Sequence, residues 1–319
     1  MVKLEDTKDK YIRQHYVPKF LLDKFGRKTK RNIYKIRGFN LRTSLPVEGS
    51  TNDFLLQRYF YDKTDPKITE LHLKEIETKT SKIINSILEQ KSIQIINKRE
   101  LDILREFMFY QIIRTQYMRN EYKISIKSTF NKNERDAEDL ARIYQNSAIS
   151  MNEKYGMIRD KKSKKIFVDY KNNFLERFKK FKVLLMSIEN PDIQKEFYLS
   201  DNPIVNVIPK RKLELKSEYD DNLMYFPLTP KLCLAFHDDN IQMERFRKLL
   251  NITNDFYPIH SNKKSIGDII DYNYRALMNS FQFIFFKTGH VGELKSKINE
   301  NPELKDIFRQ RTLHKHKSD

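Results

Sequence analysis

The hydrophobic pattern changes its period near the middle of the chain, and this change constrains the fold more than any other feature. Between residues 68 and 181, apolar side chains recur at intervals of three and four, which is the spacing of amphipathic helices. After residue 183, apolar residues come in short runs between turn-forming residues, which is typical of strands. This order predicts an α+β fold, in which a helical N-terminal half packs with a mixed or antiparallel sheet from the C-terminal half.

The helical half divides into four stretches. Residues 68–90 have one apolar face, whereas residues 99–120 are apolar nearly all round, as in a buried helix. Residues 121–155 form a less regular and strongly charged helix. A stripe of aromatic residues within 167–181 predicts a fourth helix, with the stripe either packed in the core or stacking on single-stranded nucleic acid.

The remaining chain is assigned from the apolar runs and the turn residues. Strands are predicted at residues 183–188, 196–200, 204–208, 223–228, 232–236 and 281–286, with one helix at residues 265–280. We expect a single unit over residues 1–319, made of an irregular segment (1–66), a helical part (67–182), a sheet-containing part (183–290) and a basic tail (305–319).

The net charge predicts a polyanionic partner. The 61 Lys and Arg residues outnumber 43 Asp and Glu residues, which gives +18 and a sequence pI near 9.6. Such a charge attracts nucleic acid, so RNA or DNA is the expected partner. The alternative is compositional, because an AT-rich genome also enriches Lys, Ile and Asn.

Cysteine usage and hydropathy bear on the compartment. The single cysteine, Cys233, excludes an intramolecular disulfide and a multi-thiolate metal site. No apolar run approaches the roughly 18 residues of a membrane span. We therefore expect a soluble, cytoplasmic protein without a membrane partner.

Residues 24–37 contain seven basic residues and no acidic one. This composition favours a strip that contacts phosphate groups, and the alternative is an ordinary solvated loop. The predicted nucleic-acid-binding residues are Lys24, Arg27, Lys28, Lys30, Arg31, Lys35 and Arg37.

Helical periodicity directs several polar side chains toward the interior. Glu77 lies in the apolar stripe of the first helix, Gln111 and Arg114 interrupt the apolar second helix, and Asn273 shares a stripe with apolar residues of the late helix. A desolvated arginine needs a compensating charge. Arg114 therefore predicts a carboxylate partner, and Glu77 and Asp201 are the candidates.

Two side chains capable of chemistry, those of His15 and Asp201, lie in sequence segments far apart in the chain. His15 is in RQHYVPKFLLDKF, and Asp201 is in FYLSDNPIV directly after a strand-like run. A histidine can act as a general base, a general acid or a metal ligand, or it can be a packing residue. Asp201 belongs to a turn at a strand end, where it can serve a site or bond to its own backbone.

The chain resembles the bacterial family catalogued as domain of unknown function 4238 in two motifs. These are His-Tyr-Val-Pro at residues 15–18 and Ser-Asp-Asn-Pro at residues 200–203. The sequence LTPK at residues 228–231 adds a weaker similarity. The resemblance covers nearly the whole chain. It is strongest at five polar positions, namely His15, Glu77, Arg114, Asp201 and Asn273.

These five residues are the candidate catalytic set of a metal-dependent nuclease of a defence or toxin type. Glu77 and Asp201 would hold Mg²⁺ or Mn²⁺, His15 would activate water, and Arg114 would neutralise charge on the phosphate. No named nuclease motif is present. Two alternatives stay open: a non-catalytic nucleic-acid-binding protein with a structural Arg114–Asp201 pair, and an enzyme whose Arg114 clamps a small anionic substrate.

Overall fold

The computed structural model describes residues 13–58, 60–61, 66–149, 171–176, 178–207, 223–237, 254–259, 263–288 and 291–306. Within these residues the protein has an α+β fold in which helices pack against two five-stranded sheets. The predicted fold class is therefore confirmed. The helices are α1 Lys19–Phe25, α2 Pro66–Gln90, α3 Lys98–Ile113, α4 Gln116–Phe130, α5 Glu134–Ile149, α6 Lys263–Asn279 and α7 Val291–Glu300, followed by a 3₁₀ turn at Pro302–Lys305.

The long helix predicted over residues 99–120 is interrupted, and in this detail the prediction is wrong. Thr115 adopts an extended conformation, and its hydroxyl accepts a hydrogen bond from the N–H of Met118 at 3.2 Å, so it caps a new helix. The Gln145 side chain donates to the carbonyls of Ile113 and Thr115 at 2.7 and 2.9 Å. The first bond gives the Ile113 carbonyl a partner at the end of α3, whereas the Thr115 carbonyl also accepts from the N–H of Arg119 at 3.2 Å.

The strands include several in the N-terminal segment. They are β1 Arg13–His15, β2 Arg27–Lys28, β3 Tyr34–Asn40, β4 Leu45–Ser50, β5 Leu56–Arg58, β6 Lys182–Ile188, β7 Leu199–Ser200, β8 Val205–Val207, β9 Leu223–Thr229, β10 Leu232–His237, β11 Phe256–Ile259 and β12 Phe283–Phe286. One sheet has the order β11-β6-β10-β9-β8, is antiparallel except for β11, and comes from the C-terminal half.

The second sheet joins the two ends of the chain. Its order is β2-β3-β12-β7, with β4 on the free edge of β3. A Cβ on Gly38 of β3 would lie 2.5 Å from the carbonyl oxygen of Ile284, so β12 can approach only a glycine. The segment predicted as irregular thus supplies strands, and one of them, β3, pairs with residues of β12 more than 240 positions away.

The core lies between α1–α3 and the inner face of the C-terminal sheet. Phe107 of α3 packs on Phe226 of β9 at a ring distance of 5.8 Å. Phe174, Phe178 and Phe181 also join this core, so core packing is confirmed for these members of the aromatic stripe. The other two members lie outside the described residues, as does most of the basic tail.

Candidate active site

Three consecutive residues around the end of β1 are fixed by hydrogen bonds to other parts of the chain. The N–H of Tyr61 donates to the side-chain oxygen of Gln14 at 2.7 Å, and the Tyr61 hydroxyl donates to the carbonyl of His15 at 2.9 Å. The Gln111 amide donates to the carbonyl of Tyr16 at 3.0 Å. The position of His15 is therefore set by its backbone as well as by its packing.

Arg114 lies at the centre of a buried polar network beside the break between α3 and α4. Its Nε and Nη2 donate to the side-chain oxygen of Gln111 at 2.8 and 2.6 Å, and its Nη1 donates to Oε1 of Glu77 at 2.6 Å. The Arg114 side chain is 1% exposed and that of Glu77 26%. The predicted carboxylate partner of Arg114 is thus confirmed as Glu77. Because Gln111 also binds Tyr16, the network connects Arg114 to the segment that carries His15.

The His15 imidazole has a buried nitrogen and a lowered pKa. Within the described part of the chain, Nε2 is buried and has no hydrogen-bond partner. Burial lowers the pKa of His15, and a hydrogen bond to the Thr51 backbone partly offsets this effect. The positive charges of Arg13, Lys19 and Arg114 lower the pKa further. The ring is therefore neutral at pH 7 and retains a basic lone pair.

Glu70 is a site residue that the sequence analysis missed. Burial is the main cause that raises the pKa of Glu70 to about 8; the charge of Glu77 adds to this effect and the charge of Arg114 opposes it. The Glu70 carboxyl is thus largely protonated at neutral pH and can donate a proton. Its spacing was a usable signal, because Glu70 precedes Glu77 by two helical turns and lies on the same face of α2.

We expect Glu70→Gln to change how stability depends on pH. The pKa of Glu70 is raised from 4.5 to about 8 in the folded protein, so folded molecules bind more protons than unfolded ones between these values. The free energy of unfolding of the wild type therefore falls as pH rises through this interval, by roughly 2–4 kcal/mol. Glutamine cannot ionise, so the variant should lack this fall.

Urea unfolding of both proteins at pH 5, 7 and 9 measures the effect. Glu75→Gln is the matched control, because Glu75 lies on the same helix with its side chain 60% exposed. Parallel stability profiles for the wild type and Glu70→Gln would contradict the assignment of Glu70 as a buried, protonated carboxyl.

Asp201 follows β7 and holds the start of β12. Its Oδ1 accepts a hydrogen bond from the N–H of Phe281 at 2.7 Å, and its Oδ2 accepts from the N–H groups of Gln282 and Phe283 at 2.6 and 2.9 Å. The side chain is fully buried. Asp201 also lies close enough to Tyr16 for its charge to add to burial in raising the pKa of that phenol. Asp201 is thus beside the His15 segment and is bonded to the sheet backbone.

Asn273 is bonded to the backbone that leads into β7. Its Oδ1 accepts from the N–H of Tyr198 at 2.9 Å, and its Nδ2 donates to the carbonyl of Glu196 at 2.8 Å. The prediction that Asn273 faces the interior is confirmed, since it is 7% exposed. The structure therefore brings together His15, Glu77 and Arg114, whereas the bonds of Asn273 go to strand backbone.

The carboxylates proposed to hold a metal already accept hydrogen bonds. Oε1 of Glu77 accepts from Arg114, and both oxygens of Asp201 accept from backbone N–H groups. Among the residues that the structure describes, no group of three or more His, Cys, Asp or Glu side chains is arranged to hold a metal ion. A Mg²⁺ or Mn²⁺ site at Glu77 and Asp201 stays a prediction.

Lys24 of the basic strip lies in α1, and the rest of the strip forms a β-hairpin made of β2 and β3. Lys24, at its start, donates to Oδ1 of Asn85 at 2.7 Å, and Arg37, at its end, pairs with Glu48 at 2.8 Å. The cations between these two residues are exposed: Arg27, Lys28, Lys30, Arg31 and Lys35. The hairpin therefore presents most of the strip to solvent on a hydrogen-bonded framework.

The Arg114–Glu77 pair should show energetic coupling. In a double-mutant cycle with Arg114→Met and Glu77→Gln, we expect a coupling of about 1–3 kcal/mol, because each single substitution leaves the other partner of a buried pair unpaired. Unfolding free energies from urea titration give the value. Arg114→Met combined with Asp201→Asn is the comparison cycle and should be closer to additive. Additive effects for Arg114 and Glu77 would contradict the pairing.

A family model with the description "Protein of unknown function (DUF4238)" matches residues 13–290, and this range contains every candidate site residue. No curated protein and no solved structure matches the chain. In the described part of the chain, no helix is long and apolar enough to cross a membrane.

Proposed function

The chain belongs to the DUF4238 family, and because the family description states no activity, we propose the function from the residues of the chain itself. The proposal is a nucleic-acid-directed hydrolase, a nuclease in which His15, Glu70 and Arg114 act on a phosphodiester bond. Glu77 positions Arg114 in this centre.

The observation that carries the proposal is the environment of the His15 imidazole. Hydrogen bonds from Tyr61 and Gln111 fix the backbone carbonyls of His15 and Tyr16, and Nε2 of His15 is buried without a partner among the described residues. Buried polar atoms in proteins are nearly always paired, and the exceptions often have catalytic roles or bind water or ligands. Such a nitrogen can accept the proton of an attacking water.

The other members of the centre supply the remaining steps. As the water oxygen forms its bond to phosphorus, its proton passes to His15, and the bond from phosphorus to the leaving oxygen breaks. The protonated carboxyl of Glu70 gives its proton to that oxygen. The buried Arg114 guanidinium offsets negative charge that develops on the phosphoryl oxygens, in a setting where water screens it little.

The charge of the chain supports nucleic acid as the substrate class. The net charge is +18, and the β2–β3 hairpin exposes five cations of the basic strip. A divalent ion at Glu77 and Asp201, as first expected, remains part of this proposal as a requirement to be tested. A defence or toxin role is a further expectation for such a nuclease.

A non-catalytic nucleic-acid-binding protein is the second candidate. It is favoured because the polar residues already have partners within the protein. Arg114 bonds to Gln111 and to Glu77. Asp201 bonds to the backbone at the start of β12. In that case the polar core is structural and only the hairpin contacts the ligand. An enzyme that acts on a small anion at Arg114 is the third candidate.

Incubation with labelled RNA, single-stranded DNA and duplex DNA tests these candidates. The purified wild type and His15→Ala are assayed with Mg²⁺, with Mn²⁺ and with a chelator. Cleavage by the wild type that His15→Ala lacks supports the nuclease, and the chelator arm tests the metal. Salt-sensitive binding without cleavage favours the second candidate, and neither binding nor cleavage favours the third.

A further inference from the structure

A pocket of about 270 Å³ opens beside β3, at the point where β12 ends and β2 begins. Arg27 of β2 pairs with Lys35, and Phe286 of β12 pairs with Arg37, so the two strands leave only Ile36 between them on that edge of β3. The pocket lies at this gap in the sheet, and Phe25 of α1 and the residues Lys287 and Thr288 after β12 complete its lining.

The pocket has an excess of positive charge. Four exposed cations line it: Arg27 of β2, Lys35 and Arg37 of β3, and Lys287, which follows β12. Among the described residues that line the pocket, Glu48 is the only acidic one, and it pairs with Arg37 at 2.8 Å. Within the described residues, Arg27, Lys35 and Lys287 have no ion-pair partner. Three positive charges thus converge without a carboxylate to neutralise them.

A buried carboxylate fixes the chain that carries Lys287. Oε1 of Glu196 accepts from the N–H groups of Lys287 and Thr288 at 3.0 and 2.8 Å and from the Thr288 hydroxyl at 2.9 Å. Glu196 is 2% exposed, so these bonds lie in the protein interior. Lys287 is thereby held opposite the hairpin cations, 250 residues away in sequence.

We propose that this pocket binds a phosphate group of a nucleic-acid strand through Arg27, Lys35 and Lys287. The inference rests on the proposed function, because it names the part of the surface that holds the substrate strand. Arginine and lysine N–H groups form charge-assisted hydrogen bonds to phosphate oxygens. Phe25 and Phe286 also line the pocket and reduce the water that screens these charges.

Binding of a short labelled single strand to the full-length protein tests the proposal, with all variants made in a His15→Asn background so that the strand is not cleaved. Lys287→Gln is expected to weaken binding about tenfold or more and to reduce the salt dependence by roughly one phosphate contact. The matched control is Lys132→Gln, which removes the same charge from an exposed position between α4 and α5, outside both the pocket and the basic strip. It should weaken binding by about twofold or less, because a distant charge is screened.

The bound phosphate can be at the 5′ end of the strand or between two nucleotides, and comparing strands with and without a 5′-phosphate distinguishes these two cases. If Lys287→Gln weakens only the phosphorylated strand, the pocket binds a terminal phosphate; if it weakens both strands equally, the pocket binds an internal one. Equal losses for Lys287→Gln and Lys132→Gln overturn the pocket, and so does an absence of binding. Failure of the nuclease proposal is a separate result, since wild-type protein would then bind the strand through this pocket without cleaving it.

Discussion

Replacing His15 with asparagine is expected to lower the rate of nucleic-acid cleavage by about two to four orders of magnitude, because that is the usual contribution of a positioned general base. The fold should persist. The bonds that fix this segment involve the backbone carbonyls of His15 and Tyr16, which the substitution keeps. Asparagine is uncharged and its amide is not basic, so the substitution removes the basic nitrogen of the imidazole without adding a charge.

Initial rates on RNA, single-stranded DNA and duplex DNA measure this effect, with thermal unfolding as the check on folding. His72→Asn is the matched control, since His72 is a buried histidine on α2 that packs its ring against Tyr110. It should retain cleavage when folded. Wild-type rates in His15→Asn would remove His15 from the mechanism.

Asp201→Ala is expected to have the largest effect on stability. The substitution leaves three N–H groups at the start of β12 without their acceptor, and each unpaired buried group costs about 1–3 kcal/mol. We therefore expect the free energy of unfolding to fall by at least about 3 kcal/mol, a large part of the roughly 5–15 kcal/mol that stabilises a typical domain. Urea unfolding gives the value, and amide hydrogen exchange at residues 281–283 localises it.

The control for this prediction is Asp271→Asn, because Asp271 has a 51% exposed side chain that pairs with Arg275 on the surface of α6. That variant should stay within about 0.5 kcal/mol of the wild type. If Asp201→Ala instead abolished cleavage while keeping wild-type stability, its carboxylate would act on substrate or metal, and the account of Asp201 as a backbone acceptor would be wrong.

The sequence alone indicated the parts of the fold that depend on local spacing. The helices at 66–90 and 263–279 follow from apolar residues three and four apart, and so did the inward direction of Asn273. The break before Thr115 was missed because no Gly or Pro marks it within residues 99–120. Strand β3, on which β2 and β4 pair, was missed because its own pairing with β12 is between distant parts of the chain.

In the candidate site, too, some features follow from the sequence and others depend on how distant parts of the chain pack. Desolvation required a carboxylate for Arg114, but the choice of Glu77 over Asp201 depends on how α2 and α3 pack. Glu70 was overlooked because its raised pKa comes from burial and from Glu77. Lys287 was not predicted as part of the basic strip, because only the pairing of β12 with β3 brings it next to the cations of that strip.

The most direct test of His15 as the base is the rate at which His15→Ala cleaves labelled nucleic acid with and without added imidazole. We predict that the wild type cleaves at least one of RNA, single-stranded DNA and duplex DNA, that His15→Ala does not, and that imidazole restores cleavage in proportion to its neutral form. Cleavage by His15→Ala at the wild-type rate, or an absence of cleavage by the wild type on all three substrates, would contradict the account.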